Sequence, residues 1–586
     1  MPPWAGRTAA PARCPRATGL SVQSPDHPLQ GTRQLIWQHP VVFAALIGVA
    51  GALLTIGFRE AIHGVETLAY GRSDSLVSIA RGLQGWQRVL PPVIGGVVAG
   101  LLLRWTQRWV REEHGGDYME AIALGNGELD VRRSLLKALS SLATVASGGA
   151  IGREGPMVQL AALAGSLFGR WWALPVPRRR LYVACGAAAG VATAYNAPIA
   201  GALFIAEIVL NSLSLASLAP LIVSAFTANL VVRQLAGYAP TYHMPFSALN
   251  HDVEIMALLP LGLLAGAVAP LYLAVLDQAH VQFRRWHAPL WLKLGTGGLL
   301  VGLISLLSPE VWGNGYSVVN AILQDHWSMA ALLAVLFWKV LAVSATTGSG
   351  AVGGIFTPTL FVGAVLGALF GDLLQQLWPG LVPVPVAVVI GMGAFLAACT
   401  HAPLMSILML FEMTQNYNLM VPLMATCVLG YLVSHALRVR SIYAVTQEQI
   451  KPAAALTIAA DLLHTEPPTV TLGQPMQVVE ERFRQSRWQH VYVTDAAGRF
   501  LGAIPLQDFR LQRLPDGTAA AQPWPPQLLR ADYPRVRLEA PAWEVLEVFS
   551  RHPGERLPVL DTQDRLIGYV VKSDLVLLCR DYLAQL

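Results

Sequence analysis

Residues 147–156 read SGGAIGREGP, and residues 349–358 read SGAVGGIFTP. The two stretches belong to one pattern that recurs 202 positions later. Lys137, for example, recurs as Lys339. The matched pairs are Lys137 with Lys339, Ser147 with Ser349, Gly148 with Gly350, Gly152 with Gly354, Pro156 with Pro358, Gly165 with Gly367, Phe168 with Phe370 and Gly169 with Gly371. A second match, shifted by 205, pairs Asn196-Ala197-Pro198 and Glu207 with His401-Ala402-Pro403 and Glu412. The chain therefore contains two related halves.

The composition indicates a membrane protein. Of 586 residues 54% are hydrophobic and 13% are charged, which leaves too few charges for an ordinary soluble surface. Apolar stretches long enough, or nearly so, to span a bilayer are 41–58, 89–103, 218–232, 255–276, 290–307, 330–345 and 419–435. The shorter apolar segments between them are rich in Gly, Ala and Pro. We therefore predict an all-α polytopic protein with broken helices that end within the membrane.

The charges indicate topology. Residues 1–34 are rich in Pro, Ala and Arg, and we interpret them as a disordered cytoplasmic tail. Arginines outnumber acids before the first span, which places the N-terminus on the cytoplasmic side. The formal net charge of +5 is explained in the same way, since no basic patch interleaved with aromatic residues suggests nucleic-acid binding.

A soluble domain is predicted after the last apolar stretch. Its residues Val493, Asp495, Arg499, Gly502 and Asp508 recur 66 positions later as Val559, Asp561, Arg565, Gly568 and Asp574. Each unit has the pattern of a helix, a strand, a polar turn, a strand and a helix. That order resembles a CBS domain, two of which form an intramolecular α/β pair. We assign 445–525 to a linker and the first unit, and 526–586 to the second.

The segment Gly152-Arg153-Glu154-Gly155-Pro156 predicts a helix start that binds an anion. Proline favours the first helical turn, and the glycines let backbone N–H groups converge. A helix N-terminus attracts anions without a full counter-charge, so that an anion can be held and still leave. Residues 353–358 have the same construction. If the two halves are inverted, both helix starts contribute to one site.

Glu154 is the unusual residue of this segment. A carboxylate inside a membrane costs several kcal/mol, on the order of 3, unless it is paired, wetted or protonated. Glu154 could occupy the anion site as a tethered anion and leave it when it is protonated or displaced. The alternative is that Arg153 merely neutralises it at a wet helix end. We favour the first interpretation, since the second copy has Ile355 and Phe356 at these places.

Five features of the sequence occur together: GREGP at 152–156, GIFTP at 354–358, the two Ala-Pro helix starts, Tyr443 and the tandem CBS units. In this combination the sequence resembles the ClC chloride channel and transporter family, and in particular its bacterial B-type branch. The resemblance covers 35–444 as a transmembrane domain with inverted halves, about 35–235 and 250–444. It implies a homodimer of two independent pores with Glu154 as the gate. It further implies chloride held by backbone amides near Ile355 and Phe356 and by the Tyr443 hydroxyl, while Lys137 and Lys339 raise the local anion potential.

The sequence departs from the family pattern at three places. The first-half anion loop, usually GSGIP, reads GGDYM at 115–119, so Gly116 offers only its backbone to an anion. The proton-relay glutamate of antiporter members falls on Ile208, and a partnering acid falls on Ile122. In the CBS units Pro505 and Val571 replace the small hydroxyl residue that precedes Asp508 and Asp574, the candidate ribose-contacting residues, which argues against nucleotide binding.

We therefore predict a voltage- and pH-gated chloride channel of the bacterial inner membrane with both termini in the cytoplasm. Such a channel would serve as an electrical shunt in acid stress, as the resemblance implies. The alternative is a chloride/proton antiporter of the same fold. We expect no cofactor, no metal and no enzymatic activity. The motif GxGxxG at 348–353 formally allows a dinucleotide-binding enzyme, but a membrane-length apolar segment precedes it where a short strand is required.

Overall fold

The structure is a computed structural model of the 586-residue chain. It describes residues 40–72, 75–109, 117–123, 125–237, 240–245, 252–443, 459–486, 488–511, 522–540, 542–552 and 554–574. The predicted N-terminal tail 1–34 and most of the predicted linker, 445–458, lie outside the described residues. The domain boundaries given above stay predictions.

In the first half of the membrane domain, the described residues form nine helices. They are α1 (Pro40–Tyr70), α2 (Leu76–Gly82), α3 (Trp86–Trp109), α4 (Tyr118–Ala123), α5 (Val131–Ala146), α6 (Glu154–Trp171), α7 (Val176–Tyr195), α8 (Pro198–Leu203) and α9 (Leu215–Ala236). A π-helical turn, Phe204–Val209, continues α8.

In the second half, the described residues form eight helices in a related order. They are α10 (Asp252–Arg285), α11 (Leu290–Leu307), α12 (Tyr316–Gln324), α13 (Met329–Gly348), α14 (Phe356–Leu377), α15 (Val384–Thr400), α16 (Pro403–Thr414) and α17 (Met420–Leu437). Short 3₁₀ turns precede α12 and α17. The largest hydrophobic cluster draws on both halves, so the two copies share one core.

Within the described residues, eight helices are long and apolar enough to cross a membrane. Seven of them contain the seven apolar stretches predicted above. The eighth, α14, is not among those stretches, although it follows directly from the second glycine-rich segment. Three shorter apolar segments, Pro198–Val209, Val384–Thr400 and Pro403–Thr414, agree with the prediction of short broken helices.

Two repeated glycines allow equivalent helix pairs to pack closely. A Cβ atom on Gly165 of α6 would lie 2.0 Å from the Tyr182 carbonyl oxygen of α7. A Cβ atom on Gly367 of α14 would lie 2.2 Å from the Ala387 carbonyl oxygen of α15. The pairs α6–α7 and α14–α15 therefore cross at backbone contact, which brings the starts of α6 and α14 into a defined position.

The soluble part contains two three-stranded sheets of the same topology. The first unit contains β1 (Thr469–Thr471), α18 (Met476–Ser486), β2 (His490–Thr494), β3 (Phe500–Pro505) and α19 (Leu506–Leu511). The second contains β4 (Val536–Arg537), α20 (Ala542–Arg551), β5 (Arg556–Leu560) and β6 (Leu566–Val571). In each sheet the first strand pairs in parallel with the central strand, and the third pairs with it in antiparallel fashion. The prediction of an all-α membrane domain followed by an α/β pair is confirmed.

Candidate anion-binding site

The two glycine-rich segments meet, as the inverted repeat predicts. The Gly152 amide donates to the Gly354 carbonyl oxygen at 2.8 Å, and the Gly354 amide donates to the Gly152 carbonyl oxygen at 2.8 Å. Helix α6 begins two residues after the first of these glycines, and α14 begins two residues after the second. Because the first N–H groups of a helix lack intrahelical partners, two helix N-termini at one point form an anion-attracting centre.

The Glu154 side chain occupies this centre. Only 4% of Glu154 is exposed, and its Oε1 accepts a hydrogen bond from the Thr357 hydroxyl of the opposite half at 2.5 Å. The carboxylate lies over the paired glycines, since a Cβ atom on Gly152 would lie 1.9 Å from Glu154 Oε2 and one on Gly354 would lie 3.0 Å from it. Glu154 Oε2 has no hydrogen-bond partner among the described residues. A buried carboxylate with one open oxygen is suited to exchange its position with another anion.

A cavity of about 250 Å³ lies beside the carboxylate. Six of the residues predicted for the anion pathway line it, namely Lys137, Glu154, Gly155, Ile355, Phe356 and Tyr443. Gly152 lies at the glycine bridge behind this lining, and Arg153 directly precedes α6 without a capping hydrogen bond. Gly116 lies outside the described residues. Asp117, Tyr118 and Met119, which follow Gly116, line the cavity.

Aromatic rings form one wall of the cavity. The Phe356 ring lies 4.8 Å from the Tyr195 ring and 6.1 Å from the Phe204 ring, measured between centroids. The Tyr443 ring packs edge-on against Phe204 at 5.6 Å. The preceding residue, Ile442, donates its amide to the Cys399 carbonyl oxygen at 2.9 Å, which fixes the segment that carries Tyr443.

The two repeated lysines occupy different environments. Lys137 lines the cavity, where the Asp117 carboxylate acts on its charge. Lys339 is fully buried away from the cavity lining, and its Nζ donates to the carbonyl oxygens of Val311 at 2.9 Å and Gly313 at 2.8 Å. Lys339 therefore fixes the turn before α12, whereas the charge of Lys137 acts at the cavity.

Glu207 and Glu412 cap each other's short helices. The Glu412 carboxylate accepts from the amides of Ile199 at 3.0 Å and Ala200 at 2.8 Å, at the start of α8. The Glu207 carboxylate accepts from the amides of Leu404 at 3.3 Å and Met405 at 2.7 Å, at the start of α16. The repeat of these glutamates thus reflects a symmetric structural role. Ile208, at the place of the family's relay acid, lies beside Glu207 in the π-helical turn.

The candidate ligand residues of the CBS units are both engaged by basic side chains. Asp508 Oδ2 accepts from Arg530 Nε at 3.1 Å and from Arg530 Nη2 at 2.9 Å. Asp574 Oδ2 lies 2.6 Å from His464 Nε2. Arg530 and His464 are themselves 66 positions apart, as from 464 to 530, so the two contacts are equivalent by the internal repeat.

Two groups of residues near Glu154 could not be recognised from the sequence. Thr357 belongs to the quoted GIFTP segment, but only the structure places its hydroxyl on the carboxylate of the other half. Tyr195, Tyr242 and Tyr316 come from three separate segments without a common spacing, and nothing in the sequence relates them.

The sequence of the chain matches those of known protein families. The sequence profile of the voltage gated chloride channel family matches residues 95–435, and the CBS domain profile matches residues 459–512 and 527–581. A protein of Ralstonia nicotianae named "Putative chloride channel protein ClcB-like" is 52% identical over 409 residues, which are 69% of this chain and 95% of that protein. A "Voltage-gated ClC-type chloride channel ClcB" of Citrobacter koseri is 44% identical over 410 residues, 69% of this chain and 97% of that protein.

A solved structure shares the fold of the membrane domain. The crystal structure of a slow cyanobacterial Cl⁻/H⁺ antiporter matches with a TM-score of 0.63 and 25% identity, and covers 70% of this chain and 98% of its own. The two curated relatives are named as channels and the solved neighbour as an antiporter. This chain is longer than either curated relative, since 69% of it already covers nearly all of each.

Proposed function

The chain belongs to the ClC chloride channel and transporter family, and on that premise we propose that it is a chloride channel whose gate is Glu154. One observation carries the proposal, namely the buried Glu154 carboxylate at the junction of two helix N-termini. A carboxylate held there competes with chloride for the same backbone donors. Protonation removes its charge and weakens its hold on the N-terminal dipoles, so that chloride can take its place.

The surrounding residues support a path for chloride to this gate. Lys137 provides positive charge at the cavity, while Ile355, Phe356 and Tyr443 form the walls next to Glu154. Helix dipoles and backbone amides hold an anion less tightly than a fixed cation would, which suits conduction. We assign chloride coordination to the backbone near Ile355 and Phe356 and to the Tyr443 hydroxyl.

Channel activity is favoured over proton exchange by the side chains at the relay position. Exchange needs protons to reach Glu154 from both sides of the membrane, and Ile208 cannot carry them. The adjacent Glu207 is engaged by two backbone amides at the start of α16, where its negative charge stabilises the helix. A chloride/proton antiporter stays the second candidate, because the solved cyanobacterial neighbour is described as one.

We further propose a homodimer in the bacterial inner membrane with both termini in the cytoplasm. In that setting chloride conduction would balance the charge of proton movements during acid stress. Neither a nucleotide nor a metal is needed for this function.

The decisive experiment measures chloride and proton movement in liposomes with the purified protein, under a chloride gradient and a controlled membrane potential. A channel gives chloride flux that increases at acid pH without uphill proton movement. Glu154→Gln mimics the protonated gate, and we expect its flux to lose the pH dependence. Uphill proton movement would establish the antiporter instead, and retained pH gating in Glu154→Gln would refute the gate assignment.

A further inference from the structure

Three buried tyrosine hydroxyls near Glu154 lack hydrogen-bond partners among the described residues. They belong to Tyr195 at the end of α7, Tyr242 in the segment 240–245, and Tyr316 at the start of α12. An unpaired buried hydroxyl costs about 1–3 kcal/mol, and native proteins rarely leave one unpaired. Three at one place therefore indicate a bound group that satisfies them.

The tyrosines are held in position by backbone contacts. The Thr241 hydroxyl donates to the Tyr195 carbonyl oxygen at 3.0 Å, and Tyr242 donates its amide to the Met413 carbonyl oxygen at 3.2 Å. Asn320 Nδ2 donates to the Tyr316 carbonyl oxygen at 3.2 Å, in the same helix. The rings of Tyr242 and Tyr316 pack with centroids 5.5 Å apart. This arrangement ties α7, the segment 240–245 and α12 together.

Tyr195 lines the same cavity as Glu154, and all three tyrosines lie close enough to Glu154 to feel its charge. The Glu154 carboxylate interacts electrostatically with Tyr195, Tyr242 and Tyr316. The Thr357 hydroxyl, which already donates to Glu154 Oε1, lies near Tyr195 and Tyr316 but does not meet hydrogen-bond geometry with either hydroxyl. Glu154 Oε2 is itself without a hydrogen-bond partner among the described residues, which adds a fourth unsatisfied oxygen atom to the three hydroxyls.

Water satisfies this set of atoms better than an anion does. A water molecule can donate to the carboxylate and at the same time accept from a tyrosine, and buried waters usually make about three such bonds. A chloride ion could only accept, and it would lie against the buried Glu154 carboxylate. The chemistry of the site therefore favours water while Glu154 occupies the centre.

We propose that Tyr195, Tyr242, Tyr316 and Thr357 form a hydroxyl cluster that binds water against Glu154 Oε2 and relays protons to this carboxylate. In the relay, one water donates a proton to Glu154 Oε2 and accepts a proton from the next hydroxyl or water. Each O–H bond that breaks is replaced by a new one, and the net result is one proton moved from the aqueous phase to Glu154. The proposal rests on the assignment of Glu154 as the gate, and the cluster sets the pH at which that gate opens.

The test measures chloride flux against pH in liposomes for Tyr195→Phe, Tyr242→Phe and Tyr316→Phe, alone and combined. The cluster supplies hydrogen bonds that stabilise the charged carboxylate, so its removal favours the protonated gate. We expect the half-activation pH of the triple variant to rise by about one unit, and that of each single variant to rise by less. Tyr272→Phe is the matched control, because its hydroxyl is buried and unpaired but faces Cys399.

The same substitutions in the Glu154→Gln background separate proton relay from anion contact. If the cluster acts through Glu154, Tyr242→Phe and Tyr316→Phe leave the flux of Glu154→Gln unchanged. Altered flux or anion selectivity of these two variants in that background would overturn the proposal and assign the hydroxyls to chloride. An unchanged half-activation pH in a folded triple variant would also overturn it, and the single variants provide this comparison if the triple variant does not fold. Absence of chloride flux in the wild-type chain would instead refute the proposed function.

Discussion

Glu154 depends on the opposite half of the molecule for its position. Its carboxylate lies over Gly152 and Gly354, and its Oε1 accepts a hydrogen bond from the Thr357 hydroxyl. The bond joins residues that are 203 positions apart in the sequence. The position of this carboxylate, the proposed gate, therefore depends on both halves, and small changes in the second half can alter it without touching α6.

Thr357→Val removes this hydrogen bond with little change in side-chain shape. Hydrogen bonds to a charged group contribute about 1.5–3 kcal/mol, and the lost bond favours the protonated carboxyl. We expect the half-activation pH of chloride flux to rise by about one unit, measured in liposomes. Thr359→Val is the control, since the Thr359 hydroxyl donates to the Ile355 carbonyl oxygen in its own helix. Equal shifts in both variants would contradict the role of Thr357.

Local sequence motifs account for the residues that lie together around Glu154. The segment 152–156 places Glu154 and Gly155 at the site, and 354–358 places Ile355 and Phe356 beside them. Lys339 differs from its partner in the repeat because the turn before α12 provides two carbonyl oxygens for its Nζ. The tyrosine cluster could not be predicted, since its members meet only through tertiary packing.

At the scale of elements, the repeat explains a reciprocal pair of helix caps. Both α8 and α16 follow a residue in the left-handed conformation, Asn196 and His401, and an Ala-Pro start. Each helix start receives the carboxylate of the glutamate from the other half. The recurrence of Glu207 as Glu412 predicts a shared role, but the exchange between the halves requires the fold.

Glu207→Gln and Glu412→Gln test whether Glu207 acts only as a cap. Each substitution removes a negative charge from a helix N-terminus, which costs about 1 kcal/mol. We expect both variants to melt at a similarly reduced temperature in detergent and to keep the wild-type pH dependence of chloride flux. Loss of coupled proton movement in Glu207→Gln alone would identify Glu207 as a proton carrier, with Glu412→Gln as the control for the helix cap.

Some helices and strands could not be delimited from the sequence pattern alone. Seven long apolar stretches predict seven of the helices long enough to span a membrane. Helix α14 is not among them, because it follows directly from a glycine-rich segment and its apolar residues are not recognised as a separate stretch. The π-helical turn at Phe204–Val209 is also not apparent from the sequence, because so short a π-helical turn has no apolar pattern that distinguishes it from an α-helix. In the soluble part, the short strands β1 and β4 are recognised only through their parallel partners.

At the scale of the whole molecule, the CBS pair is held together by contacts that repeat between its units. The Phe500 amide donates to the Asp564 carbonyl oxygen at 2.9 Å, and the Leu566 amide donates to the Gly498 carbonyl oxygen at 3.1 Å. The two hydrogen bonds are equivalent by the internal repeat, because Phe500 corresponds to Leu566 and Gly498 to Asp564, each 66 positions later. A regulatory signal received by one unit can therefore reach the other through a direct interface.

We predict that the CBS pair does not bind adenine nucleotides. Asp508 and Asp574 are engaged by Arg530 and His464, and Pro505 and Val571 provide no hydroxyl near them. We expect 1 mM AMP or ATP, a concentration on the order of physiological levels, to leave the melting temperature of the full-length protein unchanged. A saturable stabilisation, about 2.7 kcal/mol at one hundred times the Kd, would show binding and contradict the prediction.

Two buried histidines make the CBS pair sensitive to acid. His490 on β2 and His552 after α20 both pack against Tyr533, with ring centroids 5.0 and 4.9 Å from it. Burial lowers the pKa of His490, and the charge of His552 lowers it further, against the opposing effect of Asp508. Burial also lowers the pKa of His552, together with the charge of Lys572.

Both histidines therefore bind protons more readily in the unfolded chain than in the folded one. The folded state is fully favoured above their ordinary pKa of about 6.5, and it loses stability as the pH falls through that value towards the lowered pKa. We expect amide hydrogen exchange in β2 and β5 of the full-length protein to accelerate below about pH 6.5, relative to a His490→Gln/His552→Gln variant at the same pH. Comparison at equal pH removes the intrinsic dependence of exchange on acid. Equal exchange in both proteins down to pH 5 would mean that these histidines do not link the stability of the CBS pair to pH, and a wild-type difference confined to β2 would assign the effect to the first unit alone.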